Sequence, residues 1–111
     1  MITLVPIGEM EKSALETVRR ALTEAFGQRT RIEEGVTLTQ ASWNQHRHQH
    51  LSTVLLAELP PPDLGDRVLG VVDVDIFAQG LNFVFGQAEI IGRKALISLK
   101  RLRQEFYGLP K

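Results

Sequence analysis

The chain has 111 residues, 43% of them hydrophobic and 23% charged, a composition that suits one globular domain and excludes a second core at this length. Thirteen basic side chains balance thirteen acidic ones, so no excess of positive charge is available to hold nucleic acid or an anionic membrane surface. Cysteine is absent, which removes disulfides, thiolate nucleophiles and cysteine-based metal sites and leaves the cytoplasm as the default compartment. No run of about 18 apolar residues is present, so no transmembrane helix is expected.

In chain order, residues 2–7 form a short apolar run closed by Pro6 and Gly8, the punctuation of a strand end. Residues 9–26 change period. Met10, Leu15, Val18, Leu22 and Phe26 recur at three- and four-residue spacing, which predicts an amphipathic helix ended by Gly27. Residues 30–40 return to alternation, with Ile32, Val36 and Leu38 on one parity and a bulge or edge at Glu34 and Gly35. Residues 43–59 are read as a second helix with Leu51, Val54, Leu55 and Leu59 as its apolar stripe, stopped by Pro60, Pro61 and Pro62. The continuous apolar run from Val68 to Val72 predicts a strand covered on both faces. Residues 82–85 and 95–99 complete the set. The expected order is β-α-β-α-β-β-β, an α/β domain spanning residues 1–111 with a mixed, twisted sheet of about five strands and two helices.

Several side chains invite a chemical reading. His46, His48 and His50 are the densest group of potential ligands. On a helix His46 and His50 would share a face and could grip a divalent metal, although two ligands make a weak site and a solvated or loop-ordering role is favoured. Asp73 and Asp75 would share one face of a strand end, where a carboxylate pair could work as acid and base, yet accepting loop hydrogen bonds near Gly80 and Asn82 is favoured because no nucleophile accompanies them. Arg93 and Lys94, and Lys100, Arg101 and Arg103, are the basic clusters, and a solvated face suits them better than phosphate contacts. Trp43 is expected to staple a helix start onto the sheet.

Two long segments carry a resemblance. Residues 68–89 read Val-Leu-Gly-Val-Val-Asp-Val-Asp-Ile-Phe-Ala-Gln-Gly-Leu-Asn-Phe-Val-Phe-Gly-Gln-Ala-Glu, and residues 97–108 read Ile-Ser-Leu-Lys-Arg-Leu-Arg-Gln-Glu-Phe-Tyr-Gly. With the opening Ile-Thr-Leu-Val-Pro-Ile-Gly of residues 2–8, and with Arg47, Gln49 and Ser52, they resemble the archaemetzincin family of zinc-dependent metallopeptidases. His50 stands where that family tends to have tyrosine.

The resemblance implies a metzincin-like amino-terminal subdomain, peptide-bond hydrolysis by the complete family protein, and zinc as its cofactor. It also implies that Asn82, Phe83, Val84, Phe85 and Gly86 form the edge strand that pairs antiparallel with an extended peptide substrate. The H-E-x-x-H-x-x-G-x-x-H motif of the family is not in the 111 residues, so no zinc ligand or catalytic Glu can be assigned, and the chain is expected to be inactive alone and to carry no metal of its own. Because such a subdomain would leave one sheet face half covered, the expected partner is the missing carboxy-terminal half or a second copy in a homo-oligomer. The alternative is a non-enzymatic module that binds peptide, or itself, through the exposed sheet.

Overall fold

The computed structural model describes residues 1–101. Ten elements follow in order: β1 (Ile2–Ile7), α1 (Lys12–Phe26), β2 (Thr30–Ile32), β3 (Trp43–Asn44), β4 (Gln49–Leu51), α2 (Ser52–Ala57), β5 (Arg67–Val72), β6 (Ile76–Phe77), β7 (Gly86–Glu89) and β8 (Lys94–Ser98). Five strands make a mixed sheet in the order β2-β1-β5-β8-β7, parallel throughout except for β7. A smaller sheet, β3-β4-β6, stands beside it. The α/β class, the mixed five-stranded sheet and the two helices are those expected from the sequence.

Adjacent residues of a strand face opposite ways, and that alternation divides the core into two layers. Leu4 and Val71 pack with Leu15 of α1 on one face. Val5, Ile7, Val68, Val72 and Leu96 pack with Leu55, Leu56 and Leu59 on the other, which α2 covers. The β5 strand is thus covered on both sides, as its unbroken apolar run predicts. Leu69, Ile97 and Leu99 lie at the margin of the α1 layer and are only partly buried. The α1 helix stops where Gly27 adopts a left-handed φ of 64° and donates its N–H to the Thr23 carbonyl at 2.9 Å.

Four expectations about the elements need correction. The strand read over residues 30–40 is regular only through Ile32; beyond it a single parallel bridge joins Val36 to Ile7. The break falls at Glu33, Glu34 and Gly35. It puts Val36 and Leu38 against the core while Ile32 stays outside, so the shared parity is lost. Of the helix read over 43–59, six residues are helical. Residues 43–51 form the β3–β4 hairpin instead, whose turn holds His48 at a left-handed φ of 54°, and the strand geometry is fixed by pairing of β4 with β6, a long-range contact that local periodicity does not encode. Residues 82–85 form no strand of their own. Val84 makes one antiparallel bridge to Ile76, and regular pairing starts at Gly86 and runs to Glu89. The last strand starts and ends one residue earlier than expected. Lys100 and Arg101 of the second basic cluster fall at the end of the described residues, while Arg103 and residues 102–108 of the second long segment lie outside them.

Candidate functional site

Past the carboxyl end of β5 the chain makes a loop through β6 and back to the sheet edge at β7. A polar network with Gln49 and Ser98 buried and Arg47 exposed holds this loop in place. Arg47 and Gln49 are two residues apart in the β3–β4 hairpin, and their side chains meet: Arg47 Nε donates to Gln49 Oε1 at 2.9 Å. The Gln49 amide nitrogen then donates both its protons, to Asp75 Oδ2 at 3.0 Å and to the Asn82 carbonyl at 2.9 Å. All three partners fix the orientation of the amide, since the oxygen must face a guanidinium and the nitrogen two acceptors. Arg47 also donates to the carbonyls of Leu81, at 2.6 Å, and Asn82, at 3.0 Å, while its guanidinium lies 4.0 Å over the Phe77 ring.

Asp75 is the centre of the network. Arg101 grips it with two nitrogens, Nε to Oδ1 at 2.7 Å and a terminal nitrogen to Oδ2 at 3.0 Å, and stacks 3.9 Å over Phe83. The Arg101 hydrogen bonds, helped by Gln49, hold the Asp75 carboxyl below the usual carboxylate range against the opposing effect of burial. On the far side of the loop, Ser98 donates from Oγ to the Val74 carbonyl at 2.5 Å and from its N–H to the Phe85 carbonyl at 2.8 Å. The loop is thereby tied at residues 74, 75, 81, 82 and 85.

What the network positions is the sheet edge. The Ser98 to Phe85 bond sets the phase of the β7–β8 ladder, and in an antiparallel pair alternate residues turn their amides away. Gly86 and Ala88 therefore direct their N–H and C=O groups outward, and among the described residues no strand pairs beyond β7. Gly86 is required where it stands, because a Cβ there would come within 2.5 Å of the Leu96 carbonyl oxygen. Phe83 and Phe85 pack edge to face with ring centres 5.3 Å apart, sharing a side as the sequence suggests. Gln87, on the α2 side, accepts a hydrogen bond from Ser52.

The histidines part company. His46 is exposed in the hairpin turn, whereas His50 is 6% exposed within β4, with Nδ1 2.7 Å from Ser42 Oγ and the Trp43 ring 5.1 Å away. The helix that would have set His46 one turn from His50 is absent, and Trp43 packs on the histidine rings instead of stapling a helix start. Burial pushes the His50 pKa down. Among the described residues no three His, Cys, Asp or Glu side chains stand together to hold a metal. The described side chains do not fit a zinc site. Asp73 and Asp75 also separate: both leave the strand for the loop, Asp75 into the network and Asp73 towards the end of β1. Asp75 accepts from Gln49 and Arg101 rather than, as the sequence suggests, from the loop around Gly80 and Asn82, and Gln49 bridges it to the Asn82 carbonyl. Sequence reasoning missed Gln49, Ser98 and Ala88 as site residues. Arg47 stands in the hairpin turn and Gln49 in β4, so strand alternation offered no signal for the pair.

No family model matches the chain. An archaemetzincin from Methanocaldococcus jannaschii is 44% identical over 109 residues, which are 98% of this chain and 59% of that protein. The crystal structure of an archaemetzincin from Archaeoglobus fulgidus superposes with a TM-score of 0.80 at 31% identity, over 92% of this chain and 63% of that one. The chain is homologous to the archaemetzincins. It spans about six-tenths of the length of these archaemetzincin relatives. A zinc-dependent peptidase from Methanocorpusculum labreanum shares the fold, with a TM-score of 0.79 at 19% identity over 98% of this chain and 69% of that one.

Proposed function

We propose that the chain is the peptide-holding wall of a zinc-dependent peptidase of the archaemetzincin kind, taken to be cytoplasmic, in which an extended substrate lies antiparallel along β7 and against Asn82, Phe83, Val84, Phe85 and Gly86. The observation that carries this reading is the edge itself. Gly86 and Ala88 offer two donors and two acceptors in strand geometry, enough to bind a peptide main chain without demanding a sequence. Each such bond is worth about 0.5–1.5 kcal/mol net, so alignment rather than tight binding is the contribution. In a zinc peptidase, hydrolysis needs a metal-held water and a base. The 111 residues contain no H-E-x-x-H, so this chain's own residues hold and align the peptide, and the chain alone is expected to cleave nothing.

Calorimetric titration with a neutral, extended hexapeptide tests the reading. Ala88→Pro removes one outward N–H and leaves the β8 ladder bonds in place, so it should weaken binding at least about fivefold while circular dichroism is unchanged. A hexapeptide N-methylated at alternate residues should bind as poorly to the parent chain. Equal binding by the methylated peptide would sink the proposal whatever the fate of the proline variant.

A second reading, self-association, has its own support. Ile90 and Ile91 at the β7–β8 turn are 88% and 97% exposed, beside an edge that a second copy could pair with. Sedimentation should then show a dimer that the double variant Ile90→Asp, Ile91→Asp abolishes. A parent chain that is monomeric at high micromolar concentration removes this reading.

A further inference from the structure

The main sheet has a second free edge, at the opposite end from β7. The strand order ends at β2, and among the described residues no strand pairs beyond it. Two bonds to β1 fix its phase: Ile2 donates its N–H to the Arg29 carbonyl at 2.9 Å, and Glu33 donates its N–H to the Leu4 carbonyl at 2.9 Å. Arg29, Arg31 and Glu33 thus turn main-chain groups towards β1, while Thr30 and Ile32 turn theirs outward. Ile32 is 37% exposed on the face that α1 covers. Thr23 of α1 meets Thr30 at 3.4 Å, so the helix flanks this edge, and its Phe26 is 62% exposed. On the other face Arg31 and Glu33 form an ion pair of 3.3 Å and are both half-exposed.

Charge on an edge strand ordinarily keeps other strands away. Here the two signs stand on either side of Ile32, an arrangement that attracts an antiparallel copy in one register and repels it in the next. With Ile32 opposite the partner's Ile32, the two residues exchange both main-chain bonds, and Arg31 of each copy stands opposite Glu33 of the other in the closely spaced pairs alongside. The four side chains then alternate in sign. Because only outward-facing residues can exchange bonds, the neighbouring registers lie two residues away, and they set Arg31 against Arg31 or Glu33 against Glu33. We infer that β2 is the contact edge of a two-fold dimer, in which a second copy of this chain pairs antiparallel through Ile32 and the main sheet runs on across both copies. The Ile32 bonds and the exposed apolar surface of Ile32 hold the contact, and the charges select its register. This edge is separate from β7 and from the turn at Ile90 and Ile91, and the inference stands or falls without the peptide reading.

Sedimentation equilibrium of the full chain, at concentrations up to high micromolar, tests this contact. The parent should dimerise, and the double variant Ile90→Asp, Ile91→Asp should dimerise as well. Arg31→Glu and Glu33→Arg each set like charges opposite one another twice, so each alone should weaken dimerisation at least about tenfold while circular dichroism is unchanged. Mixed in equal amounts, these two variants should pair again with one copy of each per dimer, since every opposed pair then has opposite signs. That restoration requires position 31 to face position 33 across the contact, and a role for either side chain within its own copy would not produce it. The charge-swapped double variant Arg31→Glu, Glu33→Arg should dimerise like the parent, and it decides the matter if either single variant fails to fold. A monomeric parent, a dimer that Ile90→Asp, Ile91→Asp abolishes, or single variants that pair as well as the parent or fail to pair when mixed would each overturn the inference.

Discussion

The centre of the main sheet and the loop that ends at its edge are held by opposite kinds of force. Around β1, β5 and β8 the packing is apolar and two-sided, with Leu4, Val71, Val72, Leu55 and Leu96 all fully buried. From Val74 to Phe85 only Ile76 and Phe77 are buried apolar side chains, and the other fixed points are hydrogen bonds to Arg47, Gln49, Ser98 and Arg101. Burial of hydrocarbon is non-directional and indifferent to pH, whereas a hydrogen-bonded network fixes one conformation and fails when one partner is wrong. The sheet thus supplies stability and the network supplies position, which is what an edge meant to meet a peptide needs.

The largest expected effect lies in the apolar half. Leu55→Ala should cost about 2–5 kcal/mol by denaturant unfolding, with the same loss at pH 7 and pH 4. A loss that changed strongly with pH would mean that the two regions are not distinct in the way described.

Gln49→Glu sharpens the contrast. The side chain is 6% exposed and keeps its shape, but a carboxylate can donate to neither Asp75 nor the Asn82 carbonyl and sets two like charges together. A cost of about 2–3 kcal/mol is expected at pH 7, shrinking in acid as the new carboxyl gains a proton to donate. Loss of amide protection should centre on residues 81–86 and leave β1 and β5 unchanged.

Much of the first region was legible in the sequence and little of the second. The run from Val68 to Val72 and the three- and four-residue spacing from Met10 to Phe26 are local patterns, and they gave β5 and α1 with its Gly27 stop. The β3–β4 hairpin was hidden because its strands are two and three residues long and are fixed by contact with Ile76 and Phe77, about 26 positions away. The same distance hid the network, since Gln49 and Asp75 have no relation along the chain. The strand was placed four residues early because Phe83 and Phe85 look like one, while the regular ladder begins at Gly86, where only glycine fits against Leu96.

Acid provides a smaller effect with a definite sign. Asp75 has a folded pKa below its unfolded value, so its stabilisation is present above the ordinary carboxylate pKa, near 4, and is lost as pH falls through the folded value. The parent should lose stability between pH 4 and pH 2.5 more steeply than Asp75→Asn, measured by urea midpoints. Parallel curves would place the acid sensitivity elsewhere.

The smallest effect belongs to His50. Its folded pKa lies below the ordinary 6.5, so the unfolded chain binds the proton first and stability declines as pH drops below about 6.5 towards the folded value. His50→Tyr should flatten urea midpoints over that window. An unchanged slope would show that His50 titrates as it does in the unfolded chain.

Amide hydrogen exchange at Gly86 and Ala88, with and without a neutral extended hexapeptide, tests the central claim most directly. Both amides point away from β8, so they should exchange quickly in the free chain and become protected together on adding peptide, while Gln87, already bonded to β8, changes little. Protection that rises at Gln87 but not at Gly86 and Ala88, or none at all along β7, would contradict the assignment of this edge as the place where a peptide is held.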